Sequence, residues 1–187
     1  MAAPEERPPR SGVQTVELLL DAGLDDGVRQ LWDRLIAAGQ HSQGVRTDSS
    51  NRPHVTLAVA RHLDSALEPA ITAAVAAALP LPLTLGGLLV FPAGRATTLA
   101  CAVVPSAALL ALHAAVSAVV GVHLPHTAPG AWSPHVTLAR RVRPEQLGPA
   151  VQVLGRAELA GTAAAARRWD GTARREWLLQ EPCRPPA

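Results

Sequence analysis

Apolar and polar positions change period several times along this chain, and each change marks an element. Residues 13–20, VQTVELLL, form an apolar run of strand length, followed by a polar turn, DAGLDDG. Val28, Leu31, Trp32, Leu35 and Ile36 then recur at helical spacing, with Gly39 as the stop. After the polar loop HSQGVRTDSSNR comes a short strand, PHVTL, at 53–57. The alanine-rich stretch 63–79 predicts a helix, and LPLTLGGLLVF at 81–91 a strand with a bulge at its glycine pair. TTLACAVV at 97–104 reads as a strand and 106–120 as a helix with Ser106 as N-cap. A loop rich in proline and glycine leads to a second PHVTL, at 134–138. Residues 144–155 predict a short helix, and 157–169 and 176–180 closing strands.

The order of these elements repeats. Each half runs strand, helix, loop, PHVTL, with VQTVELLL matched by TTLACAVV, so the duplication is structural as well as literal. Residues 13–181 therefore read as one domain built of two similar halves, with 1–12 and 182–187 as flexible tails. The span 69–94 carries no charge, but Pro80, Pro82, Pro92 and Gly86-Gly87 interrupt it, which speaks against a membrane segment.

Composition removes several classes of chemistry. All 17 basic side chains are arginine and tyrosine is absent, which excludes a lysyl-nucleotide intermediate, a Schiff base, a P-loop lysine and a tyrosine nucleophile. A net charge of +2 is too small for a protein that coats duplex nucleic acid. Cys101 and Cys183 form no metal-ligand spacing, and the N-terminus lacks the apolar core of an export signal, so the expected location is the reducing cytoplasm.

The candidate chemistry lies in the repeat. In a strand, His54 and Thr56 share one face while Val55 and Leu57 take the other, and His135 and Thr137 are set likewise against Val136 and Leu138. Two such strands facing each other would hold two imidazoles and two hydroxyls around one small anion. Phosphodiester cleavage needs this set: a neutral imidazole takes a proton from the attacking oxygen, an imidazolium returns one to the leaving oxygen, and the hydroxyls donate to the non-bridging oxygens. The arrangement calls for no metal and no cofactor. A lone H-x-T in a strand is usually an ordinary sheet residue; its duplication at equivalent points of two halves is what makes it a candidate site.

The paired HVTL at 54–57 and HVTLAR at 135–140 resemble the 2H phosphoesterases, named for two H-h-[T/S]-h motifs, and within them the LigT-like RNA 2′,3′-cyclic phosphodiesterase or 2′-5′ RNA ligase branch. That resemblance implies an α+β, bilobal fold with two antiparallel sheets in pseudo-twofold symmetry about a central cleft, and helices outside. It implies His54 and His135 as the catalytic pair, Thr56 and Thr137 as phosphate-binding hydroxyls, and Arg140 beside them. Strand parity places Arg140 on the face opposite His135, and Arg141 on the histidine face, unless the strand bulges. The implied activity is hydrolysis of 2′,3′-cyclic phosphodiesters, on RNA ends or small cyclic nucleotides, toward 2′-phosphates, with reverse 2′-5′ ligation as a side reaction. A monomer without membrane association is expected. A non-catalytic RNA-end or nucleotide-binding module using the same cleft is the alternative.

Three further features bear on the site. Trp132 precedes the second motif, as a base-stacking platform or as an anchor for the strand start. His123 and His126, in HLPH, have a spacing that a metal could use, but no acidic or thiolate neighbour. Arg52, Arg61, Arg141 and Arg143 flank the motifs as a modest electropositive rim.

Overall fold

The structure, a computed structural model, describes residues 12–121 and 124–180. Most of the two expected tails, Cys183 and His123 lie outside the described residues. In chain order the elements are β1 (Gln14–Leu20), α1 (Ala22–Ala37), β2 (His54–Ala60), α2 (Glu68–Ala76), β3 (Leu81–Ala93), β4 (Ala96–Val103), α3 (Ala107–Val120), β5 (His135–Val142), α4 (Pro144–Leu154), β6 (Leu159–Asp170) and β7 (Arg175–Gln180).

All strand pairings are antiparallel, in the order β2-β1-β6-β3-β4-β5, with β7 also on β6. Strand β6 joins the halves: Leu159–Ala163 pair with β3, while Ala163–Asp170 pair with β1 and Ala166–Asp170 with β7. The two antiparallel sheets of the expected bilobal α+β fold are therefore hydrogen-bonded into one through a shared strand. Its outermost strands on that path are β2 and β5, the two that carry PHVTL, and they approach each other.

Alternation decides which face does what. Val16, Leu18 and Leu20 of β1 join Leu24, Val28, Leu31 and Leu35 of α1 in the helix-covered core, with Leu109, Leu112 and Val116 of α3 on the other half. Thr15, Glu17 and Leu19 take the opposite face. Val55, Leu57, Val136 and Leu138 are fully buried, so the apolar half of each motif holds its strand in place.

Helix α1 starts six residues before the predicted periodic run, because DAGLDDG is helical from Ala22 onward. Asp21 is its N-cap: Leu24 N donates to Asp21 Oδ1 at 2.9 Å, and Asp25 in the first turn suits the helix dipole. The apolar period could not show this, since the first turn is fixed by a polar cap. The helix predicted over 63–79 is shorter, a 3-10 turn at Ser65–Leu67 followed by α2 with Pro69 in its first turn. Ser106 caps α3 as expected, and the register of β3 against β4 shifts at Gly86-Gly87.

Asp21 also ties α1 to the sheet, its Oδ2 accepting from Thr162 N and, at 2.9 Å, from Thr162 Oγ1. Gly161 makes that contact possible: a Cβ there would lie 2.8 Å from both Asp21 Oδ2 and Leu24 Cβ. Gly161→Ala is expected to force α1 outward and destabilise the fold by about 1–3 kcal/mol, read from urea unfolding.

Candidate active site

The two motifs present their groups in the same way. Across from β2, Val16 pairs with Ala58 but Glu17 with Thr56, so Leu57 is an extra residue. Across from β5, Leu99 pairs with Ala139 but Ala100 with Thr137, and Leu138 is the extra residue. Each motif thus ends in a bulge at its leucine, with both bulge residues buried. One inserted residue resets the parity of everything after it.

That bulge settles where Arg140 stands. Unbroken alternation puts Arg140 away from His135; the bulge returns it to the histidine face, and its charge acts on His135 and on Glu17. Partial burial and the like charge of Arg46 hold its guanidinium below its ordinary value, against the pull of Glu17. Arg141, which strict parity favours, sits exposed at φ 60° in the same distorted stretch.

The histidines are oriented alike. His54 Nδ1 lies 2.7 Å from the carbonyl oxygen of Arg52, and His135 Nδ1 lies 2.7 Å from that of Ser133. A carbonyl only accepts, so in both rings Nδ1 carries a proton and donates, leaving Nε2 as the nitrogen that gains or loses one. Both rings are half-buried, and His54 acts electrostatically on His135. The Thr56 and Thr137 side chains are half-buried, and neither hydroxyl has a hydrogen-bond partner among the described residues.

Their surroundings differ. Glu17 Oε1 lies 3.6 Å from His54 Nε2, in a carboxylate that is 4% exposed. Burial alone would raise the Glu17 pKa, but the charges of His54 and Arg167 and hydrogen bonds from Thr15 and Arg167 bring it below the usual carboxylate range. Arg167 Nε donates to Glu17 Oε2 at 2.7 Å and Thr15 Oγ1 to Oε1 at 2.7 Å, so the carboxylate is ionised and fixed. The equivalent position across from Thr137 is Ala100, which has no charge to offer. His135 instead packs against Phe91, ring centroids 4.6 Å apart. Burial lowers the His135 pKa despite the Ser133 hydrogen bond, and the charges of His54, Arg140 and His126 lower it further.

Glu17 was not singled out in the sequence because it is one acidic residue in an apolar strand; only the cross-strand register sets it opposite Thr56. Trp32, assigned there only to the apolar helix face, has the same status. Its Nε1 donates to the carbonyl oxygen of Thr137 at 3.0 Å, while Trp132 Nε1 donates to that of Thr56 at 2.9 Å. Each half thus caps the motif strand of the other. Trp132 also stacks on His113, with centroids 3.9 Å apart and planes within 3°. With one face covered by His113 and its N–H engaged, Trp132 anchors the start of β5.

His126 lies in a 3-10 turn, Pro125–Thr127, and no group of three His, Cys, Asp or Glu side chains among the described residues is placed to hold a metal ion. Cys101 is buried on β4, and burial pushes its thiol up to about 11 against the pull of Arg34, so it packs as a small apolar group. Among the described residues no helix is long and apolar enough to cross a membrane.

Trp132→Phe keeps a ring against His113 but leaves the Thr56 carbonyl without its donor, and is expected to cost about 1–2 kcal/mol. Trp132→Ala removes the stack as well and should cost about 3 kcal/mol. Chemical denaturation of the three proteins in parallel measures both.

The comparisons with known proteins agree with this geometry. The model of the 2′-5′ RNA ligase superfamily matches residues 23–173. No curated protein sequence matches the chain. Among solved structures, Kluyveromyces marxianus Usb1 is similar at 14% identity and TM-score 0.55, over 91% of this chain and 98% of that one. Apo LigT of E. coli is similar at 14% identity and TM-score 0.55, over 90% and 95%; LigT complexed with 3′-AMP at 15% and 0.53, over 92% and 95%. At these identities the likeness is one of fold. With a family model covering most of its length, and two H-x-T strands facing one another within that fold, the chain belongs to the 2′-5′ RNA ligase superfamily of 2H phosphoesterases.

Proposed function

We propose that this protein hydrolyses 2′,3′-cyclic phosphodiesters to 2′-phosphates with His135 as general base and His54 as general acid. The observation that carries the reading is the facing pair of motifs in unequal surroundings: one imidazole beside a fixed carboxylate, the other against a phenyl ring and an arginine. Burial and neighbouring positive charge favour the neutral ring at His135, and the Glu17 carboxylate stands 3.6 Å from His54 Nε2, the nitrogen given the acid role. The chemistry needs such a split, since one ring must begin protonated and the other not.

In the proposed reaction, His135 Nε2 takes a proton from water as its oxygen bonds to phosphorus. The bond from phosphorus to the 3′ oxygen breaks, and that oxygen receives the proton of His54 Nε2. The product is a 2′-phosphate beside a free 3′-hydroxyl, and the two rings have exchanged protonation states. The hydroxyls of Thr56 and Thr137 donate to the non-bridging oxygens as charge gathers there, and Arg140 offsets that charge from the His135 side. Acid, base and phosphate donors are all side chains of this chain. The reverse sense, with a 5′-hydroxyl as nucleophile, gives a 2′-5′ linkage by the same groups. Support for a nucleotide in the cleft comes from the similar folds, since LigT was solved with 3′-AMP and Usb1 with uridine monophosphate.

Incubation with 2′,3′-cyclic mononucleotides and RNA ends in EDTA should yield the 2′-phosphate isomer. His54→Ala and His135→Ala should each lower kcat/KM by about 10²- to 10⁴-fold. Full activity in either variant removes the mechanism, and tight binding without turnover in the native protein replaces it with a binding module.

The rate profile should be bell-shaped. His135 gains its proton only below the ordinary imidazole value of about 6.5, so activity should fall on the acid side below that pH. Glu17→Gln removes the negative charge beside His54 Nε2, and is expected to lower kcat/KM by about 10-fold or more. Unchanged kcat/KM in Glu17→Gln would show that the carboxylate does not serve the acid.

A further inference from the structure

The cleft face of the sheet continues beyond the histidines. Arg167, which holds Glu17, pairs across to Glu17, and Trp169 lies two residues farther along β6, opposite Thr15 of β1 and Glu176 of β7. Cross-strand partners and residues two apart share a face, so Trp169 stands on the surface that carries Glu17 and His54. The loop at 46–50 forms a wall there, held by Arg167 Nη1 donating to the carbonyl oxygen of Ser50 at 3.1 Å. Between that wall and the β6–β7 hairpin lies a groove of about 210 Å³ lined by Arg46, Asp48, Trp169, Arg174 and Glu176, among others.

The lining leaves a particular set of groups available. Asp48 is engaged by Arg46 and Ser50, and Glu176 by Arg167. Arg174 makes no ion pair or hydrogen bond among the described residues and is exposed. Three of the four tryptophans spend their indole N–H on protein acceptors: Trp32 on Thr137, Trp132 on Thr56 and Trp177 on Glu68. Trp169, half-buried, is the one with no such partner among the described residues. Tyrosine is absent and the single phenylalanine packs on His135, so Trp169 is the aromatic side chain that lines this groove. Arg46 belongs to both places, lining the groove while its charge acts on Arg140.

An aromatic face flanked by guanidinium groups suits a nucleobase and its phosphate. By strand geometry Trp169 lies about 16 Å from His54, four residues along β6 and two strands across, so a base there belongs to a nucleotide other than the reacting one. We propose that this groove is a second nucleotide subsite, in which Trp169 stacks a base and Arg46 and Arg174 hold the backbone upstream of the reacting end. The substrate class is then a single-stranded RNA end several nucleotides long, rather than a cyclic mononucleotide. The inference rests on the proposed activity for its reaction but not for its binding.

The test compares kcat/KM for an RNA tetranucleotide ending in a 2′,3′-cyclic phosphate with that for the corresponding cyclic mononucleotide, in native protein, Trp169→Ala, Trp169→Phe and Arg174→Ala. The native ratio should favour the tetranucleotide. Trp169→Ala should reduce that ratio about 5- to 100-fold, chiefly through KM, with partial recovery in Trp169→Phe; Arg174→Ala should weaken the salt dependence of tetranucleotide binding. A ratio unchanged in Trp169→Ala, at unchanged thermal stability, overturns the subsite. Should the native protein turn over neither substrate, the reaction fails on its own. Fluorescence anisotropy of a labelled tetranucleotide with a 2′-phosphate end then decides the subsite, which stands if Trp169→Ala weakens binding and falls if it does not.

Discussion

The site depends on two edge strands being held face to face without pairing to one another. Edge strands carry unpaired carbonyls, and on β2 and β5 those of Thr56 and Thr137 are each taken by an indole from the other half of the molecule. The two bonds are reciprocal, so neither motif strand can move away without uncovering an acceptor on the other. His113 extends this support, stacked on Trp132 and with Nε2 3.0 Å from the carbonyl oxygen of Thr127. The hydroxyls and imidazoles project between strands whose spacing is set from behind by buried leucine and valine and from the side by tryptophan.

The approximate twofold arrangement builds the frame, and departures from it give the two histidines different neighbours. Both motifs have a histidine tied at Nδ1, a threonine hydroxyl without a hydrogen-bond partner among the described residues and a bulge at leucine. Perfect symmetry would give both rings the same surroundings. Glu17 against Ala100, and Arg140 against Val59, break it. A buried carboxylate is costly, and here Arg167 and Thr15 offset that cost while Arg167 also reaches Ser50 and Glu176. One ion-pair network therefore fixes the charge beside His54 and the loop that walls the neighbouring groove.

Much of the fold was legible because it follows from local patterns. Runs of apolar residues gave β1, β3 and β4, the alanine-rich period gave α3 with its serine cap, and the glycine pair marked a real register shift. The start of α1 was not legible, since Asp21 caps it and anchors it to Thr162, 141 residues away in sequence. The role of Trp132 was open for a similar reason: whether an indole is free to meet a base or is spent on a carbonyl depends on the strand lying beside it.

The sequence by itself determined which groups the chain could offer: duplicated histidine-threonine strands, no lysine or tyrosine, and two halves of matching order. Side-chain alternation and composition are local properties, so they survive without knowledge of the fold. Only the tertiary structure decided what each group faces. The bulges that bring Arg140 to the histidine side, the register that sets Glu17 beside His54, and the crossed tryptophan caps all join residues distant in sequence, and pairing between distant strands leaves no periodic trace in either.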